Sequence, residues 1–390
     1  MKPGYIFYIN GIDYTDRLQD RFIGLTLQDT YGFNNDRLVV RLDAVPAIQI
    51  PKRGAKATLF LGYQEASNMP KYEGMVNMGD FIFDESSVQK SKSGGREVAF
   101  HFHALATGGM WKETHNTTYD NQSLADIVEH VAQRNEMTPI IDPEFYGIIA
   151  SSMIQRNESD QSFLTALGLR YGASFKVSGK TLLFAKVGTI QALSDTVKED
   201  ACSSWSWLNQ STSNYGAVVA NVYNKDTGKY SYAVKVVRTD SGEADRKENA
   251  RLALPGVYAT EELANAAAAG RASMLEVEGH SFEFSLYRGN PKLKAETMIK
   301  TEGFYDVETG IKMPSYWHLK SVTHSFDKTG GYVTSAECDK PAVQVNGLGE
   351  NATEAERKAA NEAAAAMRKQ LKATNKAIIK ADNKAKRKTL

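Results

Sequence analysis

Residues 155–177 read QRNESDQSFLTALGLRYGASFKV, and this stretch decides how the middle of the chain is built. It opens with Glu158 and Asp160 beside Arg156, turns apolar at helical spacing, stops at Gly172 and resumes as a strand. Phe163, Leu164, Leu167 and Tyr171 recur in steps of three and four, which places them on one helical face. Asn157 is the expected N-cap, with Glu158 and Asp160 in the first turn, where unpaired backbone amides favour negative charge. Gly172 is the expected C-cap. On this reading the two acids are exposed, ionised and start a helix. The competing reading, an acid and nucleophile acting on a glycan, needs a cleft and surroundings that push the two pKa values apart. The sequence shows no sign of either.

Upstream, SLADIVEHVAQRN puts Leu124, Ile127, Val128 and Val131 on one helical face, with Ser123 as N-cap and Asp126 three residues on. Downstream, FKVSGKTLLF reads as a hairpin about Ser178-Gly179. Residues 111–199 are therefore expected to be a small α+β unit. Residues 1–110 read as strands: YIFYING ends on the turn dipeptide Asn10-Gly11, and RLVVRLDAV, KATLFLGY, GDFIFDESS and REVAFHFHA follow. Short strands at this spacing suggest a small antiparallel barrel or sandwich. Strands return over 200–345 in AVVANVYN, KYSYAVKVV, FEFSLY, ETMIKTEGF, WHLKSVTHSF and YVTSAECD. One helix, about 260–277, interrupts them, entered at Thr260 with Glu261-Glu262.

A faint repeat links the two β regions. KATLFLG, GDFIFDESS, Gly94-Gly95 and REVAFHFH match ETMIKTEG, WHLKSVTHSF, Gly330-Gly331 and YVTSAE in order. The fold expected is α+β and β-rich: two similar antiparallel β-barrels, an α+β middle, and an Ala/Lys-rich helical tail over 346–390.

The net charge of +1 over 390 residues argues against a dominant polyanion partner, but it is unevenly spread. Residues 351–390 carry 11 Lys/Arg against 4 Asp/Glu, while the rest carries 36 against 42. The tail also holds twelve alanines, and Ala360, Ala364, Met367, Leu371, Thr374, Ile378, Ala381 and Ala385 form a heptad-like seam. Met367, Leu371 and Ile378 are the large members and the candidate partner-helix contacts. Each alanine buries about one methyl, on the order of 0.8 kcal/mol, so such a helix needs a partner. Two distant cysteines make no disulfide framework, and no segment has the look of a signal peptide or a membrane span. A soluble cytosolic product is the expectation.

His101 and His103 share one face of a strand opposite Val98, Phe100 and Phe102, on the wetter side. A zinc site would need further ligands, and none stands near in sequence. No nucleophile elbow, zincin helix, Walker loop or dinucleotide fingerprint occurs. The expectation is therefore no catalytic residue, no cofactor and no metal. Nucleic acid could meet the basic tail through phosphates, but the tail has no aromatic for stacking, and a solvated helical face is the commoner meaning.

The order of segments resembles the phage late control protein D family, the baseplate hub of contractile tails, related to the N-terminal part of type VI secretion spike proteins. The resemblance runs from about Tyr5 to Asp339 and includes YINGIDYTD, PKRGAKATLFLGY with MGDFIFDES, and WKETHNTTYDNQSLADIVEHVA. Its most specific piece is the stretch quoted first, and it closes with WHLKSVTHSFDKTGGYVTS. The resemblance implies a structural part rather than an enzyme: a homotrimer of two-barrel chains whose pseudo-sixfold ring adapts a sixfold tail tube to a threefold central spike. It implies as partners the spike, a tail tube or distal tube protein, and also tape measure and baseplate wedge proteins, with no membrane. It implies a place in a virion or phage-derived bacteriocin baseplate assembled in the bacterial cytoplasm. The alternatives are a peptidoglycan-degrading tail hydrolase and a tail protein that contacts nucleic acid through its basic C-terminus.

Overall fold

In the computed structural model Asn10 and Gly11 both take positive φ, 50° and 77°, and reverse the chain between β1 (Lys2–Ile9) and β2 (Ile12–Asp13). A two-residue turn of this hand matches the twist of its strands. The structure describes residues 2–340 except 33–35, 65–73, 91–94, 105–108, 179–180, 187–192, 210–214, 226, 240–241, 244–249, 278–279, 306–309 and 311–312.

After the short α1 (Thr15–Leu18) come β3 (Phe22–Thr30), β4 (Arg37–Asp43), β5 (Lys56–Gln64), β6 (Met75–Lys90) and β7 (Arg96–Ala104). They pair in the order β3-β4-β7-β6-β5-β1, every neighbour antiparallel. β6 serves two partners: its first half lies on β5 and its second on β7, with a bulge between Phe83 and Glu85. Bulges bend a strand in this way. Every second residue faces one core, filled by Leu25, Leu27, Leu38, Val40, Phe81 and Phe100 among others.

The middle holds β8 (Thr114–Ser123), α2 (Leu124–Arg134), β9 (Thr138–Ile141), β10 (Ile149–Ser159), α3 (Asp160–Tyr171), β11 (Ala173–Ser178) and β12 (Thr181–Lys186). Ser123 and Asp126 form a reciprocal capping box on α2. Leu124, Ile127, Val128 and Val131 are buried with Phe163, Leu164, Leu167 and Tyr171 of α3. β11 and β12 form the hairpin, and β9 runs parallel to β12. The antiparallel β8–β10 pair was not legible, because both strands are mostly polar and show no apolar alternation.

Then follow β13 (Leu193–Lys198) and β14 (Cys202–Asn209). A further layer comes next: β15 (Tyr215–Asn224), β16 (Lys229–Val236), the short pair β17 (Arg238–Thr239) and β18 (Gly242–Glu243), β19 (Ala250–Tyr258) and α4 (Glu261–Val277). Last are β20 (His280–Leu286), β21 (Met298–Glu302), β22 (Tyr316–Asp327) and β23 (Gly331–Asp339). They pair in the order β14-β20-β23-β22-β21-β13, around a core that includes Phe282, Phe284, Trp317, Leu319 and Cys338. This is the strand order of the first unit, with the β15–α4 layer inserted in its first hairpin.

Three features depart from a pair of self-contained antiparallel barrels. β22 pairs with β3, so one sheet runs through both units. β13 pairs with β21 in parallel, and among the described residues no ladder joins β1 to β3 to close the first unit. The second half of β22 has a free edge beyond β21, and β3 supplies the backbone partners that edge requires.

α4 is buried on two faces. Leu263 and Ala267 join the middle core, while Ala264, Ala268, Ala272 and Leu275 pack on β15 and β16. Its alanines permit the close approach, and so does a glycine pair. Gly172, at φ +69° as the C-cap of α3, has Gly270 of α4 so near that a Cβ would stand 2.6 Å from the Gly270 Cα. No helix among the described residues is long and apolar enough to cross a membrane.

Candidate functional site

α3 begins at Asp160, two residues later than expected, and its cap is Ser159, whose Oγ accepts from the Ser162 amide at 3.2 Å. Asn157 is no cap: it sits at φ 47° in a bulge of β10 against β8. Glu158 is the last residue but one of the strand and accepts from Ser162 Oγ at 2.8 Å.

Asp160 corrects the reading of an exposed acid. It is 0% exposed and is held by Arg134 at the end of α2, which donates through Nε at 3.0 Å and also through Nη2. Asn135 Nδ2 donates to it at 2.7 Å and Gln155 Nε2 at 2.9 Å. Arg134 also donates to Gln155 Oε1 at 3.0 Å. The cation closes the C-terminus of one helix and the anion the N-terminus of the next, each beside the dipole end that favours it. Each carboxylate oxygen accepts two hydrogen bonds, so the group has no room for a substrate. Asp160 and Arg134 form a structural clasp, and Glu158 stands outside it. Periodicity placed Asp160 on a helix but could not reveal Arg134, whose contact depends on how two helices meet.

A second, partly buried cluster joins three parts of the chain. Lys176 Nζ of β11 donates to Asp29 Oδ1 of β3 at 2.9 Å and to the Thr30 carbonyl at 3.2 Å. Asp36 Oδ1 accepts from the Thr30 amide at 3.1 Å. Glu296, just before β21, accepts at Oε1 from the Gly32 amide at 3.0 Å and from Ser174 Oγ at 3.1 Å. Asp29 Oδ2 accepts from the Ala295 amide at 2.9 Å. Burial pushes the Asp36 carboxyl up to about 7, with the Lys176 charge opposing and Asp29 adding to the rise. Burial also raises Glu296. For Lys176 burial opposes the charge, but the surrounding carboxylates outweigh it and hold the ammonium above its ordinary value. Nearby His318 is lowered to about 4 by burial and so is neutral. The cluster is a lock that fixes the first β unit, the middle and the second β unit against each other.

The outward face of the shared sheet is a field of hydroxyls. Gln28, Thr323, Ser335, Ser285 and Ser204 are in register across β3, β22, β23, β20 and β14. Ser321, Glu337, Glu283 and Ser206 form the next row. Together they line a shallow groove of about 520 Å3. His101, from the sequence reading, meets Ser87 Oγ at 3.0 Å, and burial lowers His103. Among the described residues no group of three or more His, Cys, Asp or Glu is placed to hold a metal ion. The candidate tail contacts Met367, Leu371 and Ile378 lie outside the described residues.

The model of the phage tail baseplate hub (GPD) family matches residues 86–330. A "Probable baseplate hub protein" of Escherichia phage 186 is 25% identical over 377 residues, covering 87% of this chain and 93% of that protein. One of the same description from Escherichia phage P2 is 26% identical over 379 residues, covering 87% and 93%. In fold, the chain is similar to a tail protein from Neisseria meningitidis MC58, with a TM-score of 0.62 at 10% identity, covering 87% of this chain and 97% of that one.

Proposed function

The chain belongs to the phage tail baseplate hub family, and we propose that within such a baseplate it is a ring-forming adaptor between the tail tube and the central spike. Three copies assemble, each contributing two units of like topology, so the ring presents six similar units to a sixfold tube and threefold symmetry to a spike. The observation that carries this is the repeated strand order, β3-β4-β7-β6-β5-β1 and β14-β20-β23-β22-β21-β13, within one chain. A chain holding the same unit twice is what a threefold ring needs in order to imitate sixfold symmetry. The lock at Lys176 supports the reading, because an adaptor transmits geometry and its two units must hold a fixed relation. The function is shape and interface, without catalysis.

The tail is a separate part of the proposal. Its seam of Met367, Leu371 and Ile378 docks on a tube or spike partner, or on the same segment of the other copies. Deleting 351–390 then weakens assembly, read as loss of the complex in a pull-down; wild-type assembly after deletion dismisses the tail's part. The main test is the mass of the complex by light scattering after co-expression with the spike candidate encoded beside it. Three copies of each chain is the expected stoichiometry, and a monomer that ignores the spike refutes the adaptor.

A further inference from the structure

The two units match beyond strand order. Against β4, β3 is offset between Phe22 and Gly24; against β20, β14 is offset between Cys202 and Ser204. β6 bulges between Phe83 and Glu85 on β7, and β22 between Leu319 and Ser321 on β23. Leu27 faces Leu38 as Trp207 faces Phe282, and Leu25 faces Val40 as Trp205 faces Phe284. With bulges and registers aligned, Leu25, Thr26 and Leu27 of β3 correspond to Trp205, Ser206 and Trp207 of β14. In the same way His324, Ser325 and Phe326 of β22 correspond to Val88, Gln89 and Lys90 of β6.

One ladder breaks this equivalence. β3 pairs with β22, so that Leu27 meets His324, Thr26 meets Ser325 and Leu25 meets Phe326. The corresponding edges of β14 and of the second half of β6 carry no ladder among the described residues. Burial follows. Leu25 and Leu27 are each 1% exposed and His324 is 0% exposed, whereas Val88 is 61% exposed and Trp205 and Trp207 are half-buried. Trp207 Nε1 meets no acceptor among the described residues. Unpaired edges with apolar residues of this kind invite another chain.

We propose that β14 of one copy adds antiparallel to Glu85–Lys90 of β6 in a second copy, in the register that β3 and β22 already use within the chain. Trp207 then stacks on Val88, Trp205 lies along the stem of Lys90, and Ser206 stands opposite Gln89. The contact is head-to-tail, so each copy offers one β14 edge and one β6 edge, and the series closes where the rotation permits. Its step repeats the step between the two units of one chain. The proposal rests on the self-assembling ring described above and assigns the strands that build it.

The test uses the full-length chain co-expressed with the spike candidate and carrying Ser206→Cys with Gln89→Cys. Facing residues on paired strands stand within disulfide range. Mild oxidation should yield covalent species at two and three times the 43.0 kDa chain mass. Ser206→Cys with Ser87→Cys, two residues out of register, should yield at least tenfold less. Val88→Asp, at a position exposed in the single chain, should weaken trimer formation at least tenfold while leaving the monomer's circular dichroism unchanged. A trimer by light scattering with no excess of covalent product over the control overturns the strand pairing and leaves the trimer standing. A trimer indifferent to Val88→Asp does the same. A monomer in every preparation overturns both.

Discussion

The clasp at Asp160 and the lock at Lys176 are both charge clusters largely withdrawn from solvent, yet their arithmetic differs. In the clasp one cation meets one carboxylate, and Gln155 and Asn135 complete its hydrogen bonds. In the lock one cation faces Asp29, Asp36 and Glu296, so negative charge is in excess. The clasp is complete within the middle unit, where it sets how α2 meets α3. The lock is drawn from three segments far apart in sequence, and its excess acid makes it respond to pH. Local structure can afford a saturated pair; a junction takes whatever charges its segments bring.

Breaking the clasp should have the largest effect. Asp160→Ala leaves the Arg134 guanidinium half-enclosed without its anion, at a cost of about 3–5 kcal/mol by chemical denaturation. A loss under about 1 kcal/mol would mean that water replaces the carboxylate. Lys176→Met should cost about 2–3 kcal/mol at pH 8, because three acids then share a partly buried site without a cation. The same variant should lose less at pH 5, since Asp36 can take up a proton there; an equal loss at both pH values would separate the lock from its acids.

Asp36→Asn sharpens the comparison. With a folded pKa near 7 against an ordinary 3.8, the folded chain holds an extra proton at this site between those values. The contribution of Asp36 to stability is therefore fully present below about 4 and is lost as pH rises to about 7. The asparagine variant should be about 1–2 kcal/mol more stable than wild type at pH 8, with the difference shrinking towards pH 4. His318 and His324, both lowered to about 4 by burial, contribute the opposite slope below about 6.5. The difference between the two proteins, measured across pH, therefore isolates the site. The smallest effect belongs to Ser174→Ala, which removes one donor from Glu296 and should cost about 1 kcal/mol. Thermal unfolding would resolve that loss, and its absence would place Ser174 outside the lock.

Much of the fold was legible where the signal is short-range. Ser123 with Asp126 announced α2, Asn10-Gly11 a reversal, and Gly172 the end of α3, because caps and turns satisfy backbone groups within a few residues. The matched segments that suggested a repeat are the strands β5, β6 and β7 against β21, β22 and β23. β8 and β10 escaped notice because polar strands show no period. The lock was invisible: Asp29, Asp36, Lys176 and Glu296 look like ordinary surface charges, and no spacing relates them.

The amino-acid sequence by itself determined the capped helices, the hairpin turns, the inward alternation of each strand and the order of segments that marks the family. Those depend on dihedral preference, on hydrogen bonds between near neighbours and on which face of an element is apolar. Only the tertiary structure decided that Asp160 is buried against Arg134, that β3 finds β22, and that β14 and the end of β6 carry no second ladder among the described residues. The burial of a charge and the pairing of an edge depend on a partner supplied from far along the chain, and no local pattern specifies which one arrives.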